Sequence, residues 1–166
     1  MIVRAGINNV AAIQKILWET WLATYAEIIP KTDLEVYFGA HYSAMELSAL
    51  LLKDEVVAYL AHVQDQAAGT MITRDDREAQ RLYVSSLYVL PGFQGHGIGT
   101  RLLEMAETVA ASAGRDHLWL GVMVQNVRSV HWYERIGFRF EEHLPFMMGQ
   151  TTVEHLIGSR RIRPSA

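Results

Sequence analysis

The sequence predicts a mixed α/β (α+β) fold: one domain in which a mostly antiparallel, twisted sheet is flanked by helices. Three observations lead there. Between Glu55 and Val89, three β-rich runs follow one another across short polar turns, the pattern of antiparallel hairpins. Before and after this block, apolar residues recur at helical spacing. One unit, from Arg81 to Val122, reads strand, glycine-rich loop, helix, strand, and only that unit requires a parallel crossover.

The elements follow in order. Ile2-Val3-Arg4 is a short first strand, and Asn8-Asn9 can cap a helix. Ala12, Ile13, Ile16, Leu17, Trp21 and Leu22 then mark one helical face, in a region closed by Pro30. Thr32-Asp33 opens a second helix through Leu34, Val36, Tyr37 and Phe38, which Gly39 should stop. Ser43 caps a third through Leu47, Leu50 and Leu51. Strands are expected over 56–61, 68–73 and 81–89, with polar turns at Gln64-Asp65-Gln66 and 74–78. Ile98, Leu102, Met105, Ala106, Val109 and Ala110 line a helix that ends at Gly114. His117–Val122 is a strand, Val127–Arg135 a helix stopped by Gly137, and 138–140 and 151–156 are closing strands. Residues 1–166 form a single domain, with 158–166 as a frayed basic tail.

Composition excludes several classes. The chain has 166 residues, enough for one domain with a sizeable core. A net charge of −3 argues against a nucleic-acid surface. With no cysteine, disulfides, thiolate nucleophiles and cysteine metal sites are out, and a reducing compartment fits. The start, MIVRAGINNV, has no apolar stretch of signal-peptide length, and no run approaches the ~20 residues of a membrane span, so a cytoplasmic protein without membrane contact is expected. Histidines 41, 62, 96, 117, 131, 143 and 155 form no helical pair around a carboxylate, so no metal site is expected. A homodimer is compatible with all of this.

The most informative stretch is LYVLPGFQGHGIGTR, 87–101, where an apolar strand gives way to an apolar helix through Gly95, Gly97 and Gly99. Glycines at a helix start leave its first N–H groups unpaired and remove the side chains that would block approach. With the helix dipole, this makes an anion site suited to phosphate. The dinucleotide spacing Gly-x-Gly-x-x-Gly is absent, and so is the Gly-Lys-Ser/Thr of a nucleotide triphosphate loop. Taken alone, the loop is either a phosphate cradle or a turn that lets strand and helix pack closely.

A second constellation lies downstream. Asn126, Ser129 and Tyr133 fall three and four apart along one face of a short helix that ends in Gly137-Phe138. Gln94-Gly95-His96-Gly97-Ile98-Gly99, followed by Asn126 and Tyr133-x-x-x-Gly137-Phe138, resembles the GNAT superfamily of acetyl-CoA-dependent N-acetyltransferases. Within it, 118–138 together with Phe146-Met147-Met148-Gly149 is similar to bacterial Pai-type spermidine/spermine acetyltransferases.

The resemblance implies that acetyl-CoA (coenzyme A) lies in a groove between two splayed central strands. The backbone of Leu87, Tyr88 and Val89 would pair with its pantetheine arm. Gln94, Gly95, His96, Gly97, Ile98, Gly99 and Thr100 would hold the pyrophosphate, and Asn126 and Ser129 would lie near the pantetheine. Tyr133 would reach the sulfur and protonate the leaving thiolate. Several relatives carry a glutamate base on the fourth strand, where this chain has Ser85 and Ser86. The proton acceptor is then a water chain, Glu27 or no dedicated group.

The implied acceptor is a small-molecule primary amine, such as the polyamine spermidine, entering beside the early helices and the turn after the third strand. Trp21, Tyr25 and Glu27 lie there, with Asp33, Glu35, Asp75, Asp76 and Glu78 as further carboxylates. An amino acid, a peptide or protein N-terminus, and a non-catalytic acyl-CoA sensor remain as alternatives.

Overall fold

In the computed structural model, which describes residues 1–163, strands β1 (Ile2–Ala5), β2 (Val56–Val63), β3 (Gln66–Asp76), β4 (Arg81–Val89), β5 (His117–Met123), β6 (Arg139–Met148) and β7 (Thr151–Arg161) build one sheet. Its order is β1-β2-β3-β4-β5-β7-β6. Every pairing is antiparallel except β4 with β5. Helices α1 (Val10–Tyr25), α2 (Lys31–Tyr42) and α3 (Ala44–Leu51) precede β2, α4 (Ile98–Ser112) joins β4 to β5, and α5 (Val127–Arg135) follows β5.

The sheet separates two apolar layers. On one side Leu102, Leu103, Ala106 and Ala110 of α4 pack with Leu82, Val84, Leu118 and Leu120 of the central strands. On the other, Ile13, Ile16 and Leu17 of α1 pack with Leu60 and Ile72. A third cluster, rich in aromatic rings, gathers Trp21, Tyr25, Leu34, Met123, Met148 and Val153 where α1 and α2 meet the second half of the sheet.

One irregularity sets the shape of the centre. The β3–β4 register runs Ile72↔Ser86 and then Thr73↔Val84, so Ser85 is an extra residue on β4. Such a bulge bends its strand and sharpens its twist. Beyond it the parallel partner is lost: β4 and β5 pair only at Leu82↔Leu118 and Tyr83↔Trp119, then diverge.

Four expectations need correcting. Gly39 does not stop α2, which continues to Tyr42. A mid-helix glycine costs about 1 kcal/mol relative to alanine, and here Phe38 and Tyr42 pack against Trp21 on both sides of it. Asn9 precedes α1 but does not cap it. Its side chain turns back to accept the Gly6 N–H at 3.0 Å. The closing strands are far longer than expected. Pro145 suggests a break, yet β6 is an edge strand, where a missing N–H is tolerated.

The expected tail is in part strand. Gly158–Arg161 pairs with β5 through Arg161↔His117 and Gly158↔Leu120. Arg160 anchors it: its guanidinium donates to Glu107 of α4 at 2.7 Å and to the Ile136 carbonyl at 3.1 Å. The remainder of that expectation, 164–166, lies outside the described residues. The Arg160 and Glu107 side chains are only 10% and 11% exposed, so removing one partner strands a buried charge. Glu107→Ala should therefore lower the unfolding free energy by about 3 kcal/mol, read as a lower urea midpoint with unchanged slope.

Candidate active site

The divergence of β4 and β5 opens a cleft of about 520 Å³ through the middle of the sheet. Leu87, Tyr88 and Val89 form one wall and Leu120–Met123 the other. Past Tyr83, β4 has β3 on one side and no strand on the other, so its cleft-side edge can pair with an extended ligand. The Val89 carbonyl is already taken, because the Gln94 side chain donates to it at 2.9 Å. Gln94 thus ties the strand end to the glycine loop.

Beyond the cleft lies the start of α4. Gly95 and Gly97 have φ of 81° and 76°, in the left-handed region that favours glycine. Gly97 is the N-cap, with no side-chain cap bond. No turn or cap bond among the described residues uses the N–H groups of residues 95–100. A Cβ on Gly95 or Gly97 would meet nothing within 4 Å, so the loop presents bare backbone to open space. Gly99 serves packing instead: a Cβ there would lie 3.2 Å from the Trp132 ring of α5. Ile98 is buried in the core below, and His96 is an exposed ring whose Nδ1 sits 2.9 Å from the Gln94 carbonyl. Gly99 thus serves close packing, while Gly95 and Gly97 leave the backbone open, the geometry a phosphate cradle requires.

Asn126, Ser129 and Tyr133 all line the cleft. Asn126 caps α5, accepting the Ser129 N–H at 3.4 Å. Tyr133 packs edge-on to Phe138 at 5.4 Å and belongs to the core as well as the cleft wall. Its phenol is not at the ordinary value assumed for an exposed tyrosine. Burial pushes it well up, so the hydroxyl keeps its proton at any physiological pH. Burial likewise raises Tyr25, Tyr42 and Tyr88.

Trp21 and Tyr25 line the cleft from α1, but the carboxylates expected beside them do not. Glu27 is exposed in the turn after α1. Asp33 accepts from the Gln150 N–H and the Thr151 hydroxyl, pinning the β6–β7 turn to α2. Asp75 is held by Arg115 at 2.8 Å, Glu35 pairs with Lys31, Asp76 accepts the Ala79 N–H, and Glu78 is exposed. Nor are the serines free bases: Ser85 Oγ donates to the Ile72 carbonyl at 3.1 Å, and Ser86 is buried beside Tyr42.

Arg74, Tyr37, Phe146 and His155 line the cleft too and escaped the sequence reading. They sit on long strands and on a helix thought to end early, so no local signal joins them. His155 stacks on Phe146 at 4.4 Å, and burial pulls its pKa below 6.5, leaving it neutral at pH 7.

The model of the acetyltransferase (GNAT) family matches residues 10–138, most of the chain. The chain belongs to this family. GNAT enzymes use acetyl-CoA. In the crystal structure of the PaiA N-acetyltransferase of Thermoplasma acidophilum in complex with coenzyme A, the same fold recurs with a TM-score of 0.83. It covers 97% of this chain and 98% of that one at 20% identity. Streptothricin acetyltransferase of Streptomyces lavendulae is 43% identical over 61 residues, 37% of this chain and 32% of that protein. An uncharacterized N-acetyltransferase of Lactobacillus delbrueckii subsp. lactis is 32% identical over 127 residues, 75% of this chain and 70% of that protein. The chain spans a third to a half of the length of the first curated relatives it matches. Among the described residues, no helix is long and apolar enough to cross a membrane, and no histidine–carboxylate cluster could hold a metal.

The bare loop and the unpaired strand edge fit a pantetheine arm ending in a pyrophosphate. Gly97→Ala should weaken coenzyme A binding by at least tenfold in calorimetric titration, because a Cβ both strains the left-handed N-cap and crowds the open amides.

Proposed function

We propose that this protein transfers an acetyl group from acetyl-CoA to a primary amine by direct attack in a ternary complex. The observation that carries this is the cleft between β4 and β5, with a bare-amide helix start at one end and an aromatic chamber at the other. Acetyl-CoA, when bound, supplies an acetyl group activated as a thioester. The free edge of β4 from Leu87 to Val89 orients the arm, and the amides of residues 95–100 hold its phosphates. Holding both reactants in line contributes several kcal/mol.

Two side chains move protons. Tyr133, kept protonated by burial, donates to the departing sulfur. His155, neutral and facing the chamber, takes the proton released by the amine. Glu27 is too exposed for that task. The narrower polyamine reading rested on a resemblance and on acids that lie elsewhere. A non-catalytic sensor would have no use for a protonated phenol and a neutral imidazole lining one cleft.

Tyr133→Phe keeps the ring and deletes the proton. Its kcat should fall by roughly 10²–10⁴-fold while coenzyme A affinity holds. Near-parental turnover in a folded Tyr133→Phe protein would overturn the assignment. The His155 imidazole, with its pKa lowered, stays a base as pH falls past 6.5 and is lost only on crossing the lowered value. The acid limb of kcat should therefore lie below pH 6.5 and vanish in His155→Gln.

A further inference from the structure

The chamber on the α1–α2 side has a definite electrostatic character. No aspartate or glutamate lines it, and its one permanent charge is Arg74. Arg74 takes part in none of the ion pairs among the described residues. It sits on β3 directly across from Tyr83, so the two side chains share the chamber face. The surrounding tyrosines stay neutral: Tyr37, for one, is pushed up to about 12 by burial. A polyamine that gives up one proton to react keeps its other charges, and nothing here would pair with them.

The hydrogen-bonding inventory points the same way. Trp21 Nε1 is buried against the Tyr88 hydroxyl and Thr20 Oγ1 is buried as well, so neither offers a donor to the cleft, whereas the Arg74 guanidinium is exposed and lines it. A guanidinium only donates. Its donors are matched by a ligand that supplies lone pairs, and a charged acceptor makes the stronger bond. Ammonium groups have none to give, and a carboxylate has four sites. The rest of the chamber is aromatic, with Trp21 and Tyr37 rings 5.9 Å apart and Tyr37 and Phe146 rings 5.4 Å apart.

We infer that the acceptor is a small amino-carboxylate with an apolar or aromatic body, its carboxylate on Arg74 and its body among Trp21, Tyr37 and Phe146. This rests on the acetyl-transfer reading, and the test separates the two. Phenylalanine and phenethylamine differ only in the carboxylate. The parent enzyme should favour phenylalanine over phenethylamine, and over spermidine, by about tenfold or more in kcat/KM, the worth of one charge-assisted hydrogen bond. Arg74→Gln should bring the phenylalanine-to-phenethylamine ratio within threefold of unity, mainly through KM. Spermidine or phenethylamine matching phenylalanine, or a ratio unmoved by Arg74→Gln, would overturn the inference. A second readout needs no turnover. N-acetylphenylalanine should raise the Tm of the coenzyme A-bound parent more than N-acetylphenethylamine does, and Arg74→Gln should erase the difference. Equal shifts in the parent overturn the inference. Silence of every amine in the rate assay, with the Tm difference intact, overturns acetyl transfer instead.

Discussion

The whole site depends on a pairing that stops. β4 and β5 hydrogen-bond at two register positions and then part. Had the ladder continued, Leu87–Val89 would face a strand, Tyr133 would face backbone, and α1 would have no chamber to roof. The cause is one residue: Ser85, inserted against β3, turns β4 away from its parallel neighbour. The exposed backbone is tolerable because the space it lines is polar and open to solvent or ligand.

Around this opening, the fold divides its labour by face. The α4–α5 side supplies glycine amides, the Asn126 cap and the Tyr133 phenol. The α1–α2 side supplies aromatic rings and Arg74. Asp33 links the second face to the β6–β7 turn, tying α2 to the far edge of the sheet. Carboxylates that looked functional in the chain are held in such links, as Asp33 and Asp75 are, or lie exposed, as Glu27 and Glu78 do, and the chamber keeps none.

The architecture was legible because its signals are local. Hairpin turns, helical spacing and the glycines of 95–99 each act within a few residues. Asn126, Ser129 and Tyr133 were legible as one face because a helix fixes their separation. The bulge at Ser85 was not, since its phase shift from Leu82 and Val84 to Leu87 and Val89 falls in a run where both faces carry large side chains. The ends of α2 and β7 were misread for a related reason: Phe38, Tyr42 and Arg160 hold them through partners far along the chain. Arg74 and His155 are single polar residues on strands, and only the sheet brings them to the cleft.

The uncapped start of α4 has a thermodynamic consequence. A helix normally satisfies its first N–H groups from within the chain, and that free energy belongs to the folded state alone. Here the cap is Gly97, which offers no side chain, so the same satisfaction is left to water or, in the function proposed above, to the phosphates of the cofactor. Folding and occupancy become linked equilibria. Saturation at a hundred times Kd adds about 2.7 kcal/mol to the native state, and the melting temperature of the protein becomes a gauge of the cofactor around it.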